Sequence, residues 1–359
     1  MQYVFIAFYG WNEPEMKQDE KIFTISGDFE CWNLKKFSTE EFIDQIKTKI
    51  PPVNDNVLRN YLSSESSTEG ISEGLYKKCL WGILLPTADG DQFLTGYKKA
   101  LSLINLFSPK FMSPAFYVTN FGIQKVPETK QIDSPPNDHQ GYELFKNQNF
   151  ADFYDLMYEQ MNYFTWMRDI VLSWQDEDWR LFMAASFYEG LKEYDKGKSV
   201  YTWQRESADM ATLLETLFTA GDTQNEEIGY RLRKRISCLI GWKITDIEDG
   251  IKALYKDRSE FIHGAYYKKI LRGMRRNQND NAMPPSPDFE KLYKTKEYIR
   301  IIFVAYLYAS KIKNGDEELK QYSSIQGILE ESIINIELRN KLINLIKPVI
   351  ELLPAPSNR

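Results

Sequence analysis

The sequence predicts an α+β amino-terminal domain over residues 1–140 followed by an all-α helical bundle over residues 149–359. Three observations carry this division. Residues 3–11 and 22–32 are rich in aromatic and β-branched side chains, the composition of strands packed on a core. Residues 130–141, KQIDSPPNDHQG, are polar, proline-rich and without periodicity, as a boundary between domains is. From Asn149 to the end, apolar residues recur at the three- and four-residue spacing of one helix face.

In chain order, the two opening strands are expected to pair as a hairpin. Residues 39–49 form a short helix stopped by Pro51 and Pro52, which cannot continue it. Residues 63–70, SSESSTEG, read as a polar loop, 79–85 as a buried strand, 92–107 as a helix and 115–123 as another strand. No glycine-rich phosphate loop, nucleophile elbow or catalytic cluster appears in this part. In the second part, Phe153 to Trp174 and Trp179 to Tyr194 each carry one apolar face. A third helix holds Trp203, Met210, Leu214, Leu217 and Phe218 and ends near Gly221. A fourth holds Ile228, Leu232, Ile236 and Leu239 and ends at Gly241. After a fifth helix and a loop at 277–288, helices are expected over 289–313, 325–334 and 337–353. Short connections favour antiparallel neighbours in a bundle.

Composition narrows the function classes. With 43% hydrophobic and 14% aromatic residues in 359, the chain can bury a large core, so disorder is not expected for most of it. The net charge of −6 shows no global basic excess of the kind that marks a nucleic-acid binder. Attraction for phosphate must therefore be local, and residues 264–276 supply it best, with Lys268, Lys269, Arg272, Arg275 and Arg276 and no acid. Cys31, Cys79 and Cys238 lack paired spacing, which argues against a disulfide framework and a zinc site and fits a reducing cytoplasm. The only histidines, His139 and His263, lie far apart, so a histidine-rich metal centre is not expected, and no cofactor is assigned. The longest apolar run, residues 301–309, is too short to span a bilayer, and the amino terminus has no signal-peptide pattern; a soluble cytoplasmic protein is expected.

The fifth helix is the chemical centre. Thr245 and Glu248 form a capping-box pattern that starts it, and Gly264 ends it. Ile247, Ile251, Leu254, Tyr255 and Ile262 mark its buried face, and Arg258 falls in line with them. A permanent cation on an inward face needs a carboxylate, a carbonyl or a ligand phosphate as partner. His263 follows five residues later, about 7.5 Å along the axis and roughly 140° around it. The two converge within one chain only if the last turn unwinds, which Gly264 makes cheap.

Such a pair suits RNA cleavage without a metal, which needs a base for the 2′-hydroxyl proton, an acid for the leaving oxygen and a cation for the phosphorane charge. Histidine titrates near pH 6.5 when unperturbed, and proton transfer by it is worth about 10²- to 10⁴-fold. Arginine grips phosphate with a planar fork and stays charged. One histidine does not easily serve as both acid and base, whereas a symmetric dimer would bring two histidines and two arginines to one cleft.

The run LYKDRSEFIHG at 254–264, with TLLETLF at 212–218 and RLRKRIS at 231–237, resembles the HEPN superfamily and within it the ApeA-like branch. The mark of that superfamily is an arginine followed after four to six residues by a histidine, matched by Arg258 and His263, with a polar Ser259 after the arginine. The resemblance extends over residues 150–350 at the level of helices and closely over about 20 residues around the motif. It implies an all-helical dimerising domain that cleaves RNA without a metal, acting as a toxin or antiphage-defence effector, with the amino-terminal domain as a sensor for an unknown ligand or protein. On this reading Arg258 holds the scissile phosphate and His263 transfers the proton. Ser259 orients one of them, Glu215 pairs with Arg258, and the basic residues from Lys268 to Arg276 track the RNA backbone. Two other readings use the same residues: a non-catalytic binding or adaptor module in which Arg258 and His263 satisfy core carboxylates, and a nucleotide-binding regulatory partner of another enzyme.

Overall fold

The computed structural model describes residues 2–9, 21–26, 29–51, 54–63, 79–87, 103, 106, 114–119, 122–125, 161–172, 180, 202–219, 228–241, 244–264, 268 and 289–352. The chain divides into two compact units, Met1–Ser173 and Trp174–Arg359. The proline-rich stretch 130–141 and His139 lie outside the described residues, as do the expected helix at 179–194 apart from Arg180 and the loop at 277–288.

The first unit is built on an antiparallel sheet. Its strands are β1 (Gln2–Tyr9), β2 (Ile22–Ser26), β3 (Phe29–Asn33), β4 (Cys79–Thr87), β5 (Pro114–Thr119) and β6 (Gly122–Lys125), in the order β2-β3-β4-β1-β5-β6. The expected hairpin between residues 3–11 and 22–32 does not form. β1 pairs instead with β4 and β5, and residues 22–32 make their own hairpin of β2 and β3. The reason is burial: Val4, Phe5, Ile6 and Ala7 are all within 1% of full burial, so both faces of β1 are covered and it belongs in the centre. The single strand expected at 115–123 is likewise a hairpin, β5 and β6. Of the helix expected at 92–107, Leu103 and Leu106 are described, and both are helical and buried.

Helix α1 (Thr39–Lys49) starts on a capping box: Ser38 Oγ accepts from the Glu41 amide and the Glu41 carboxylate accepts from the Ser38 amide. Its buried face, Phe42, Ile43 and Ile46, packs with Leu58 and Leu62 of α2 (Asp55–Ser63) onto Phe5, Trp32, Leu84, Phe116 and Val118 of the sheet. Gly82 permits this packing. The Phe5 ring lies across it, and a Cβ at that position would sit 1.9 Å from the ring. Gly82→Val therefore overpacks a fully buried layer and is expected to destabilise the first unit by about 1–3 kcal/mol, read as a lower urea midpoint.

Glu41 also carries a pH dependence. The Lys21 ammonium hydrogen-bonded to it (2.8 Å), with the Ser38 amide, lowers its pKa to about 2. Because the folded value lies below the unfolded one, the stabilisation is present above the ordinary carboxylate range and is lost as pH falls toward 2. In Lys21→Met the acid-unfolding midpoint of this unit, followed by tryptophan fluorescence, is expected to move to higher pH. Helix α3 (Met161–Leu172) also belongs to this unit and packs against β2.

The second unit is mostly helical: α4 (Thr202–Phe218), α5 (Ile228–Ile240), α6 (Ile244–Ile262), α7 (Phe289–Gly315), α8 (Ile325–Ile334) and α9 (Ile336–Leu352). Helix α7 is its axis, buried on every side from Ile299 to Leu307. Helix α6 packs along α4, and α5 packs against α6, α8 and α9. Gly241 and Gly264 end α5 and α6 with φ of 69° and 64°, the left-handed turn that glycine adopts without strain. Helix α6 begins at Ile244, so Thr245 lies in its first turn rather than at the N-cap position where the capping-box pattern put it.

Candidate functional site

Two helices supply the site. Glu215 is one turn from the end of α4, on a helix whose neighbouring Leu213, Leu214, Leu217 and Phe218 are buried at 1% exposure or less. The end of α4 is fixed from two directions. Arg235 of α5 donates to the Phe218 carbonyl and, through Nε (2.9 Å), to Glu330 of α8; Gln326 donates to the Leu217 carbonyl (2.7 Å). These donors satisfy carbonyls that a helix end leaves unpaired, so the turn bearing Glu215 is held on both sides. Arg235, part of the basic run RLRKRIS, is therefore a structural cation, 2% exposed.

Helix α6 presents Tyr255 and Arg258 three residues apart, hence on one face, and that face meets Glu215. The Arg258 guanidinium and the Tyr255 hydroxyl both donate to Oε1 of Glu215, the tyrosine at 2.8 Å. The Arg258 guanidinium also lies 5.9 Å from the centre of the Tyr255 ring. Both partners of the ion pair are largely covered, with side chains 28% and 20% exposed, so water screens it less than a surface pair. Burial, and then the hydrogen bond to the Glu215 carboxylate, push the Tyr255 phenol well above its ordinary pKa. The phenol is thus a fixed neutral donor at cellular pH.

The structure joins Arg258 to Glu215 and sends the other motif residues elsewhere. Ser259 and His263 are exposed. The His263 amide donates to the Ser259 carbonyl at 3.0 Å, an ordinary helical bond, so the helix stays wound through the histidine. The unwinding that would let Arg258 and His263 converge within one chain is absent. Ile262, expected on the buried face, is 59% exposed. Lys268 is exposed, and its amide bonds the Gly264 carbonyl (3.1 Å). Lys269, Arg272, Arg275 and Arg276 lie outside the described residues. Among the described residues, no group of three or more His, Cys, Asp or Glu side chains is placed to hold a metal ion, and no helix is long and apolar enough to cross a membrane.

Tyr255 is the residue that sequence reading passed over, since an aromatic on the apolar stripe reads as core. Its hydroxyl, three residues before an inward arginine, was the available signal. No protein-family model matches the chain, and neither does any characterised protein or solved structure with which it was compared.

Proposed function

We propose that the protein is a metal-independent endoribonuclease of the HEPN type, acting as a toxin or antiphage effector on RNA. The observation that carries this reading is the held guanidinium of Arg258, aligned by Glu215 on a helix that ends at an exposed His263 and Gly264. In this reaction the 2′-oxygen forms a bond to phosphorus as its proton passes to a base, and the 5′-oxygen bond breaks as that oxygen gains a proton. Arg258 neutralises the charge gathered on the phosphoryl oxygens, and His263 moves the proton. Ser259, exposed and next to Arg258 in the chain, supplies a hydroxyl to orient the incoming phosphate. Lys268 and the basic residues up to Arg276 attract the backbone.

On a helix that stays wound through His263, Arg258 and His263 leave the axis roughly 140° apart, which favours a cleft assembled from two chains over one built within a single chain. The test is incubation of the purified protein with single-stranded RNA in EDTA beside its His263→Ala variant. Cleavage by the wild type and its loss in the variant are expected; equal cleavage by both overturns the assignment.

The adaptor reading keeps one supporting observation, since Glu215 already satisfies Arg258 without any ligand. Under it, His263→Ala and wild type would behave alike toward RNA.

A further inference from the structure

Between α4 and α6, Glu215 from one helix meets Tyr255 and Arg258, three residues apart, from the other. Packing alone does not call for the Tyr255 hydroxyl, because phenylalanine would fill the same space and keep the same ring under the guanidinium. What the hydroxyl adds is a second donor to Oε1 of Glu215, the oxygen that also receives Arg258.

A carboxylate held by one donor can swing about its side-chain torsions and carry its arginine with it. A carboxylate held by two donors from adjacent turns of one helix cannot do so without breaking a bond. The phenol is suited to such a clamp because it is partly buried and stays protonated, so it remains a donor under cellular conditions.

We infer that Tyr255 is a positioning residue, which clamps Glu215 so that the Arg258 guanidinium is presented to an RNA phosphodiester in one fixed orientation. The inference rests on the ribonuclease reading, and it assigns Tyr255 no contact with substrate. Arginine recognises phosphate through paired parallel bonds, and that geometry is lost when the fork rotates. The clamp therefore acts on the efficiency of phosphate engagement, through Glu215.

The experiment is a double-mutant cycle on RNA cleavage with Tyr255→Phe, Glu215→Gln and the double variant, with melting temperatures measured alongside. Tyr255→Phe is expected to lower kcat/KM roughly ten- to hundredfold, the range for losing a hydrogen bond to a charged group. The double variant is expected to be no worse than Glu215→Gln alone, because the hydroxyl works only through that carboxylate. Tyr255→Phe cleaving within twofold of wild type would overturn the inference while leaving the ribonuclease reading standing. Losses that multiply in the double variant would do the same, as would a lower melting temperature with unchanged kcat/KM, since a purely structural tyrosine behaves that way. If the wild type cleaves no RNA, the parallel readout is binding of a single-stranded RNA oligonucleotide, weakened by Tyr255→Phe only if the clamp is real. Absence of both cleavage and binding removes the reading and the inference together.

Discussion

Replacing His263 with alanine is expected to lower RNA cleavage by roughly 10²- to 10⁴-fold, the range lost when a positioned proton-transfer group is removed. The same change is expected to leave stability within about 0.5 kcal/mol, because the side chain is exposed at a helix end. This separation of activity from stability is what distinguishes a catalytic histidine from one that satisfies the core. Arg258→Ala behaves differently. It removes the fork proposed to bind phosphate and also takes the cation from the largely covered Glu215 carboxylate, so activity and stability are expected to fall together. Arg258→Lys keeps the charge but not the fork, and is expected to retain the fold while recovering little cleavage. Steady-state cleavage of a short RNA in EDTA, with thermal unfolding of each variant, measures all of these effects.

Glu206→Ala is expected to destabilise the helical unit by about 3–5 kcal/mol, the cost of leaving a buried charge without its partner. Glu206 on α4 and Lys296 on α7 form an ion pair with side chains 3% and 7% exposed. Next to Lys296 in sequence, Glu297 and Arg300 form a second pair at 3.0 Å, with Arg300 fully buried. Removing one member exposes the desolvation cost of the other, whereas Glu206→Leu with Lys296→Met removes both charges and is expected to be neutral or stabilising by about 1–4 kcal/mol. Urea unfolding followed by circular dichroism separates the two results. A double variant as damaged as the single one would mean that packing, not the pair, holds α4 against α7.

Much of the helical unit was legible in the sequence because helix signals are local. The positive φ at Gly241 and Gly264 and the bounds of α8 follow from glycine caps and three-four spacing within a few residues. Strand pairing is long-range, and composition alone did not show that β1 sits between β4 and β5 rather than beside β2. The continuous apolar run at Val4 to Ala7 was the clue to a central strand. In α6 the stripe located Arg258 on an inward face and failed at Ile262. Periodicity gives a direction around an axis, not how far along it a neighbour extends. The buried charges of α7 were hidden for a related reason: periodicity does not mark Lys296, Glu297 and Arg300 as inward, although all three are buried.

In the proposed ribonuclease one cleft draws on two chains, because Arg258 turns inward to Glu215 while His263 stands exposed on the same unbroken helix. The direct test mixes the Arg258→Ala and His263→Ala proteins, each inactive alone, under conditions that exchange subunits, and measures RNA cleavage in EDTA. A mixed dimer would pair the one remaining histidine with the one remaining arginine across the cleft, where the wild type has two of each, so activity above that of either variant alone and below that of the wild type is predicted. No recovery, with subunit exchange verified by a tagged copy, would contradict the shared cleft.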